Sequence, residues 1–345
     1  MSKTVAVIGG GVAGLAAAAS LNQLGYQVLL YEREANTGGN VRNWDRLFPS
    51  GRHAKELVDE LRSSLSGDTR VITGTTVTSV TFSNGIFHLN TSAGQVGIAG
   101  AVLLATGFGL FNARKKEEYG YGIFENVITS ADLEKMFTLH GRPLKADGSV
   151  PQKVAFIHCV GSRDEKVNKP YCSRVCCITA VKQAIEVREA LPDCEVYNFY
   201  MDLRMFGTGY EQLYKEAQVK GVNFIRGRLS EANETRARQL IIKAEDTLTS
   251  RPLQLTVDLV VLMAGMSPPD TTLPILESLG LKMNDDGFTG VANAHTGSTR
   301  TPAAGVFVAG TVTGPANIAE SVNEARAAAL QIHRYLGSVQ VMLNC

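Results

Sequence analysis

Residues 4–24 read TVAVIGGGVAGLAAAASLNQL, and the order of features in this stretch decides the fold. An apolar strand over 4–8 runs directly into a glycine-rich turn, and a helix of small residues is expected over 15–24. A second apolar strand over 27–31 ends at Glu32. Strand, glycines, helix, strand and acidic residue in this order are typical of a dinucleotide-binding βαβ unit. We therefore predict an α/β fold.

Three glycines of the turn have separate physical roles. Gly9 makes the tight turn, Gly11 lets the backbone approach a pyrophosphate, and Gly14 lets the helix close on the strand. The anion is expected to meet the N-terminus of the helix, whose N–H groups are unpaired. Glu32 is expected to accept hydrogen bonds from the ribose hydroxyls. A merely tight turn is the alternative interpretation of the glycines alone.

Composition limits the classes of function. The chain has 345 residues, of which 44% are hydrophobic, and a formal net charge of +1. This length allows a large core and two domains, and the absence of a basic stripe argues against a nucleic-acid partner. The stretch 5–24 is interrupted by four glycines, so no membrane span is predicted. No signal peptide is recognised, so a cytoplasmic location is expected.

Four of the six cysteines lie in a second informative stretch. The strings FIHCVGSRD at 156–164 and YCSRVCC at 171–177 predict a strand, a loop and the first turn of a helix over 178–190. The end of the strand and the start of the helix lie at the same sheet edge, so four thiols are expected to converge there. They are Cys159, Cys172, Cys176 and Cys177.

Four converging thiolates suit a tetrahedral zinc ion or an iron-sulfur cube. Cysteines acting as small hydrophobic side chains, or paired in disulfides, are the alternatives, but adjacent cysteines suit neither well. The paired CxxC knuckles typical of structural zinc are missing, so the spacing favours a [4Fe-4S] cluster, whose corner irons are separate. Cys194 and Cys345 are interpreted as ordinary thiols, and His158 as a core residue.

Three other segments resemble the glutathione-reductase-like flavoprotein superfamily: 37–40, 103–107 and 305–311, the last followed by a helix expected over 319–335. The resemblance implies FAD at the first unit, with the closing strand returning the chain to the cofactor. That superfamily usually has an acidic residue where Thr311 stands, so a different flavin environment is expected.

The order of these segments implies a discontinuous FAD-binding domain of residues 1–112 and 285–345. Residues 113–150 are interpreted as a connector with surface loops. Residues 151–284 are predicted to form a second Rossmann-like domain, modified to hold the iron-sulfur cluster. Its predicted elements are strands over 154–158, 195–200, 223–225 and 259–264 and helices over 178–190 and 210–220.

Ordinary members of the superfamily open the second domain with its own glycine triplet for NAD(P)H. Here Cys159 and a single Gly161 stand at that place, so no glycine triplet offers backbone room for a pyrophosphate. The segment 39–51 also lacks the redox-active cysteine pair of the superfamily. Direct reduction by a nicotinamide is therefore not expected.

The two cysteine strings, together with VAGTVTGPANIAESV at 308–322, resemble the A subunit of heterodisulfide reductase and its bacterial relatives, over nearly the whole chain. The resemblance implies FAD, a [4Fe-4S] cluster on the four cysteines, a homodimer, and electron exchange with B- and C-type subunits in sulfur metabolism. The compact form resembles the Hdr-like A proteins of sulfur-oxidising bacteria more than the methanogen versions, which carry additional cluster modules. A self-contained flavin oxidoreductase for a nicotinamide or small thiol, with structural zinc, is the alternative.

The resemblance also implies individual roles. Lys182 is assigned a catalytic role, because an ammonium near the flavin would stabilise the negative charge of the reduced ring; a lysine extending to solvent is the alternative. Arg163 and Arg174 are expected to offset the charge of the cluster. The residues assigned to FAD are Gly9, Gly11, Val12, Ala13, Gly14, Glu32, Arg33, Gly39, Asn40, Val41, Val77, Ala105, Thr106, Gly107, Gly310, Thr311, Asn317 and Ile318.

Overall fold

A computed structural model of the protein describes residues 3–94 and 96–343, with side chains up to residue 338. The chain divides into two compact units. The first comprises Met1–Arg42, Lys55–Gly109 and Ser267–Cys345, and the second comprises Asn43–Ala54 and Leu110–Met266.

The strands and helices are numbered in chain order. The strands are β1 (Thr4–Ile8), β2 (Gln27–Tyr31), β3 (Thr69–Ile72), β4 (Val77–Ser83), β5 (Ile86–Thr91), β6 (Val96–Ala99), β7 (Ala101–Leu104), β8 (Gly109–Leu110), β9 (Val127–Thr129), β10 (Lys153–Val160), β11 (Glu195–Tyr200), β12 (Asn223–Arg226), β13 (Leu229–Glu234), β14 (Leu240–Asp246), β15 (Arg251–Val257), β16 (Leu259–Ala264), β17 (Met266–Ser267) and β18 (Val306–Val308). The helices are α1 (Val12–Gln23), α2 (Ala54–Ser63), α3 (Ser130–His140), α4 (Cys176–Ala190), α5 (Tyr210–Val219), α6 (Leu273–Ser278) and α7 (Ile318–Leu343).

The first unit contains a five-stranded parallel sheet in the order β18-β7-β1-β2-β3. In its register Ile8 lies opposite both Tyr31 and Leu104, so the three central strands end at the same edge, where the glycine turn begins. The α/β class and the strands predicted over 4–8 and 27–31 are confirmed. Helix α1 begins at Val12 rather than at residue 15, because Gly11 already serves as its N-cap.

Small side chains on α1 explain how closely the helices of this unit pack. Ala17 and Ala18 of α1 are fully buried in one core cluster with Ala325 and Ala329 of α7. Alanine keeps the helical backbone favourable and leaves room for the close approach of a second helix. The helix expected over 319–335 is therefore confirmed, and α7 continues to Leu343.

The second unit contains another five-stranded parallel sheet, in the order β12-β11-β10-β16-β9. Strand β10 lies between β11 and β16, and all six residues of β16 are buried. Helix α4 packs on this sheet, with Val181 in the same core cluster as Phe156 and Val261. The second doubly wound sheet predicted from the sequence is therefore present.

The interpretation of residues 113–150 as a connector with surface loops is wrong. Strand β9 is buried and pairs with β16, so it is the edge strand of the second sheet. Helix α3 follows, with Thr129 and Asp132 forming a capping box and Gly141 ending it in the left-handed conformation. A strand of three residues carries too little periodicity to be recognised, although the capping signals were present in the sequence.

Two further features of the fold were not predicted. Each unit carries a three-stranded antiparallel sheet, β4-β5-β6 in the first and β13-β14-β15 in the second. The boundaries of the units also differ from the predicted ones, because residues 43–54 group with the second unit and residues 267–284 with the first. Within the described ranges, no helix is long and apolar enough to cross a membrane.

Candidate functional site

The glycine turn of the first unit is shaped by close backbone contacts. A Cβ atom at Gly9, where φ is +111°, would lie 2.2 Å from the Ala105 carbonyl oxygen, and one at Gly14 would lie 1.8 Å from the Gly9 oxygen. Gly11 is different, because its nearest neighbour would be the Gly39 Cα at 3.8 Å. The space beside Gly11 is therefore open, as a cradle for a pyrophosphate requires.

Glu32 lies at the end of β2 and is 6% exposed. Its Oε2 accepts a hydrogen bond from the Gly10 N–H and its Oε1 accepts one from the Glu34 N–H, both at 2.9 Å. These bonds fix the carboxylate beside the glycine turn, and each carboxylate oxygen can accept further hydrogen bonds. Its role toward ribose hydroxyls stays a prediction. Arg33 is exposed and forms an ion pair with Glu34 at 3.4 Å.

Three turns come together around the start of α1: residues 39–41, residue 107 and residues 310–311. A Cβ atom at Gly39 would lie 3.0 Å from the Gly11 Cα, and one at Gly310 would lie 2.8 Å from the Ala13 Cβ. A Cβ atom at Gly107 would lie 3.9 Å from the Thr311 Oγ1. The structure therefore gathers segments that are almost 300 residues apart in the chain.

The side chains of the other predicted FAD residues are engaged within the first unit. The Asn40 Nδ2 donates to the Phe108 oxygen at 3.1 Å, and the hydroxyls of Thr106 and Thr272 lie 2.7 Å apart. Asn317 precedes α7, where its Oδ1 accepts from the Glu320 N–H at 2.9 Å, and Ile318 is the first residue of that helix. Apolar residues that are less than a tenth exposed complete the set: Val12, Ala13, Val41, Val77 and Ala105.

Cys159 lies within β10, which is longer than predicted. The register between β10 and β16 shifts between Ile157 and Val160, and Cys159 has φ +58° at this irregularity. Arg163 and Arg174 also have positive φ, at 52° and 62°. Left-handed backbone at residues other than glycine is uncommon and collects at functional sites. The cysteine loop is therefore held in a specific conformation.

Cys176 and Cys177 are the first two residues of α4, and Cys172 lies in the loop before them. The Arg174 N–H donates to the Cys172 Sγ at 3.3 Å, and the Cys177 Sγ donates to the Asp202 carbonyl oxygen at 3.5 Å. The Ser173 side chain lowers the pKa of Cys176, and the Arg204 backbone lowers that of Cys177. Hydrogen bonds to sulfur of this kind stabilise thiolate ligands.

The four thiols lie within electrostatic reach of one another, because Cys159, Cys172 and Cys177 all raise the pKa of Cys176 beyond the effect of its burial. The pKa of the Cys159 thiol is raised to about 12, mainly by burial and in part by Cys177, while Arg163 acts in the opposite direction. Burial likewise raises the pKa of Cys177. Without a metal, the buried thiols of Cys159, Cys176 and Cys177 keep their protons at neutral pH, so metal binding must release them.

Arg163 supplies positive charge beside these thiols. Its Nη2 donates to the Asp202 Oδ2 at 2.8 Å, and its Nη1 is buried with no hydrogen-bond partner in the part of the chain that the structure describes. A buried donor without a partner is costly, so this atom fits an anion that the protein itself does not provide. The predicted position of Arg163 near the cysteines agrees with this geometry.

Two buried serines join the cysteine strings to each other and to the start of β17. The hydroxyls of Ser162 and Ser173 lie 2.5 Å apart, and the Ser173 Oγ accepts from the Met266 N–H at 2.9 Å. A Cβ atom at Gly265 would lie 2.3 Å from the Ser162 Oγ, so only glycine leaves room for the pair. These contacts fix the loop between Cys159 and Cys172.

Among the described residues, no group of three or more His, Cys, Asp or Glu side chains is arranged to hold a metal ion. None of the five described cysteines is in a disulfide, and Cys194 is buried at 2% exposure. Cys345 lies outside the described residues. The metal assignment of Cys159, Cys172, Cys176 and Cys177 therefore stays a prediction.

His158 is a core residue, as predicted. It is 6% exposed, and its Nε2 lies 2.9 Å from the Asn198 Oδ1 on the neighbouring strand β11. Burial lowers its pKa to about 4, so the imidazole is neutral at physiological pH.

Lys182 on α4 does not extend to solvent, so that alternative is wrong. It is 5% exposed, and its Nζ contacts the Glu134 Oε1 at 2.5 Å, the Glu186 Oε2 at 3.1 Å and the Arg46 carbonyl oxygen at 3.1 Å. Gln183 also donates to Glu134, at 2.6 Å. No local sequence pattern indicates this buried ion cluster, because α3, α4 and the 43–54 segment are far apart in the chain.

Glu186→Gln is expected to make the folded protein lose less stability between pH 6 and pH 9. The pKa of Glu186 is raised from 4.5 to about 8, because burial and the nearby Glu134 raise it by more than Lys182 lowers it. The folded state therefore binds a proton that the unfolded state releases. This contribution to stability is complete below the ordinary pKa and is lost as the pH rises through about 8. Glutamine cannot ionise, so the variant avoids that loss.

The measurement is chemical denaturation of both proteins at the two pH values. We expect the variant to gain on the order of 1 kcal/mol or more relative to the wild type at pH 9. Glu189→Gln is the matched control, because Glu189 lies on the same helix with 37% of its side chain exposed and pairs with Arg46. Equal pH dependence in the three proteins would contradict the buried proton.

Comparison with known proteins gives the class of the protein. The sequence model of the family described as pyridine nucleotide-disulphide oxidoreductase matches residues 3–139 and 179–329. The chain therefore belongs to this family, and the protein is an oxidoreductase. All four clustered cysteines lie in the interval 140–178 that the family match omits.

More specific similarity is found to the A subunits of heterodisulfide reductases, as the sequence predicted. The A subunit of the H(2):CoB-CoM heterodisulfide,ferredoxin reductase of Methanothermobacter marburgensis is 42% identical over 236 residues, covering 67% of this chain and 36% of the relative. The A subunit of the Ferredoxin/F(420)H(2)-dependent CoB-CoM heterodisulfide reductase of Methanosarcina acetivorans is 29% identical, covering 98% of this chain and 54% of the relative. The chain thus spans about a third to a half of the length of these relatives.

Solved structures with the same architecture include the thioredoxin reductase of T. acidophilum. It has a TM-score of 0.69 at 19% identity, covering 98% of this chain and 100% of that chain. The thioredoxin reductase of Lactococcus lactis has a TM-score of 0.68 at 18% identity, covering 97% of this chain and 99% of that chain. At this identity the likeness shows the fold.

Proposed function

We propose that the protein is an electron-transfer subunit carrying FAD and a [4Fe-4S] cluster, which works in a heterodisulfide-reductase-like complex of sulfur metabolism. The observation that carries this proposal is the interval 140–178. At the sheet edge where a second dinucleotide would be bound, this chain has four cysteines, and the family match omits that interval. Sequence identity of about 42% to the A subunits of heterodisulfide reductases supports the same assignment.

FAD fits the residues of the first unit. The open space beside Gly11 would take the pyrophosphate, and the start of α1 carries no side-chain cap that would compete for its N–H groups. Glu32 offers remaining acceptor capacity for the ribose. Thr311 offers a hydroxyl where related proteins have a carboxylate, so the ribityl chain would be held by a neutral group.

A [4Fe-4S] cluster fits the donor set of the second unit. Cys159, Cys172, Cys176 and Cys177 would hold it, and Arg163 would face its negative charge with a buried, unpartnered Nη1. Each thiolate binds a separate corner iron of the cube, so the ligands need not converge on one point. When bound, the cluster would supply one-electron redox chemistry at the carboxyl edge of the second sheet.

Lys182 is the residue proposed to stabilise negative charge on the reduced flavin ring. The assignment comes from the family resemblance, and contacts with Glu134 and Glu186 keep the buried ammonium in one place. A fixed charge needs no reorganisation when the electrons arrive. The proposed partners are B- and C-type subunits, and the proposed assembly is a homodimer in the cytoplasm.

The alternative is a self-contained FAD-dependent oxidoreductase of a nicotinamide or thiol, with structural zinc at the cysteines. The family description, which names pyridine nucleotides, favours it. Elemental analysis separates the two proposals. Four iron atoms and four acid-labile sulfides per chain, with a broad visible absorption beside the flavin bands, support the electron-transfer role. One zinc per chain supports the alternative.

NADH and NADPH are expected to reduce the purified protein negligibly, although dithionite reduces both cofactors. In place of a glycine triplet, a nicotinamide pyrophosphate would meet side chains and the negative charge of the cluster, instead of free backbone N–H groups. The measurement is stopped-flow mixing of the oxidised protein with NADH, in which the flavin absorption is followed over time. Rapid, saturable bleaching at micromolar NADH would overturn the electron-transfer proposal in favour of the self-contained enzyme.

A further inference from the structure

Residues 43–54, called the 43–54 loop here, belong to the second unit, although the chain on both sides of them belongs to the first. The loop is closed by its own backbone. The Leu47 N–H donates to the Arg52 oxygen at 2.8 Å, and the Ala54 N–H donates to the Asp45 oxygen at 2.9 Å. Its conformation is therefore set within the loop and does not require the helices on which it lies.

Two polar contacts join the 43–54 loop to α3 and α4, and both reach the same buried ion cluster. The Asp45 N–H donates to the Glu134 Oε2 at 2.9 Å, and the Lys182 Nζ donates to the Arg46 carbonyl oxygen at 3.1 Å. The other oxygen of Glu134 accepts from Lys182. Lys182 is 5% exposed, so the loop helps to keep its ammonium away from water.

The outer part of the 43–54 loop is held by fewer contacts. The Phe48 ring is partly buried and meets the Tyr210 ring edge-on, with the ring centroids 5.9 Å apart. The Arg46 Nη1 pairs with Glu189 at 3.0 Å, but both side chains are more than a third exposed. An ion pair in such a position contributes little. The state of the buried cluster therefore affects how firmly the loop is held.

The cluster places one ammonium between two carboxyl groups. The Lys182 Nζ lies 2.5 Å from the Glu134 Oε1 and 3.1 Å from the Glu186 Oε2. The second contact lacks hydrogen-bond geometry, and among the described residues neither Glu186 oxygen has a hydrogen-bond partner. A buried carboxylate without such bonds is costly, so Glu186 keeps its proton as long as water is excluded.

The charges around Glu186 come from three elements. Burial, Glu134 on α3 and Asp45 on the loop raise the pKa of Glu186 to about 8, against the opposing effect of Lys182 on α4. Further out, Arg46 and His53 lie beside the Asp45 carboxylate at 3.9 and 3.5 Å, and Glu189 pairs with Arg46.

We infer that the 43–54 loop is a lid over Lys182, which lifts when Glu186 loses its proton. When the lid is lifted, water reaches Glu186, and its carboxyl group can ionise without the cost of burial. The closed form therefore holds a proton that the lifted form releases. The inference concerns this chain alone and does not depend on which cofactor binds.

The sign of the pH dependence follows from this difference. Lifting releases one proton, so the equilibrium constant for lifting rises with pH, by at most about tenfold per pH unit. The rise levels off above about pH 8, where the closed form also loses the proton from Glu186. At low pH the lid keeps the ammonium of Lys182 in an environment with little water, where its charge acts strongly.

The experiment is hydrogen exchange of the purified protein at pH 6 and pH 8, measured by mass spectrometry on peptides that contain Asp45. The Asp45 N–H loses its Glu134 partner when the lid lifts. The ratio of its observed to its intrinsic exchange rate therefore gives the equilibrium constant for lifting. We expect this ratio to rise about tenfold or more between the two pH values in the wild type, and to stay nearly constant in Glu186→Gln.

Two variants separate the proton on Glu186 from other charges. Glu189→Gln removes a carboxylate from the same helix, and His53→Gln removes a 57% exposed side chain of a type that changes its charge in this pH range. We expect both variants to keep the rise with pH. An equal ratio at the two pH values in the wild type, an undiminished rise in Glu186→Gln, or a loss of the rise in His53→Gln would each overturn the inference.

A second test leaves the ion cluster intact. Phe48→Ala removes the ring that meets Tyr210, so we expect the exchange ratio of Asp45 to increase several-fold at both pH values. Phe206→Ala is the matched control, because it makes the same change at a residue of the same unit that is 66% exposed. If Glu186→Gln does not fold, this pair decides the matter: an unchanged ratio in folded Phe48→Ala would show that the loop is not a lid.

Discussion

Cys177→Ala is expected to purify with FAD but without its cluster, with iron and acid-labile sulfide reduced to background. Cys177 is the second residue of α4 and is 5% exposed, so no water or other side chain can readily take the place of its thiolate. A cube that loses one of four protein ligands at a buried corner is unstable. The proposed FAD residues belong to the first unit, so flavin binding should persist.

Cys194→Ala is the matched control for this result. Cys194 is also buried in the second unit, at 2% exposure, and burial raises the pKa of its thiol to about 12. It packs in the core cluster of that unit, so its loss should cost some stability but no iron. Cys176→Ala should behave as Cys177→Ala does. Full iron retention in either of these two variants would refute the ligand assignment.

Gly11→Val is expected to abolish FAD binding while the protein still folds. A Cβ atom at Gly11 would meet only the Gly39 Cα, at 3.8 Å, so the protein itself has room for it. The branched side chain would instead fill the space where the pyrophosphate must touch the backbone. We expect the flavin content of the purified variant to fall at least tenfold, as measured from the flavin absorption after denaturation.

Gly67→Val is the control for the general effect of a branched residue. Gly67 lies in a turn of the same unit, and a Cβ atom there would meet nothing within 4 Å. Circular dichroism and thermal unfolding should show that both variants are folded. A normal flavin content in folded Gly11→Val would mean that the phosphate site lies elsewhere.

Gly14 and Gly9 are unsuitable for the same experiment. A Cβ atom at Gly14 would collide with the Gly9 oxygen, and one at Gly9 with the Ala105 oxygen. Substitution at either position would disturb the backbone whether or not a cofactor binds. The fold itself therefore requires glycine at two of these positions and leaves room at Gly11, where the pyrophosphate is predicted to bind, although the sequence pattern presents all three as one motif.

Much of the architecture follows from local pattern. The apolar strands, the glycine turn and the acidic residue at Glu32 fall within about 30 consecutive residues, which is the range over which periodicity and turn chemistry act. The spacing of the cysteines is equally local, so the cysteine site could be predicted from the sequence alone. That prediction did not require knowing that the strand carrying Cys159 is longer than expected and irregular. The family resemblance followed from the same strings.

Local pattern was insufficient where an element depends on a distant partner. Residues 127–129 form a strand only because β16 lies beside them, more than a hundred residues later in the chain. The antiparallel sheets likewise depend on cross-strand pairing, which a single strand does not specify. Interpreting residues 113–150 as loops therefore failed for a physical reason: three buried residues carry no period of their own.

The sequence by itself determined the two parallel sheets, the glycine turn and the identity of the four clustered cysteines, because each is encoded by neighbours along the chain. Only the tertiary structure decided which charged side chains meet one another. Asp164 meets Lys116 and Arg228, and Lys182 meets Glu134, across 48 to 64 residues. Such pairs form where burial removes competing water, and burial is a property of the packed molecule rather than of any short segment.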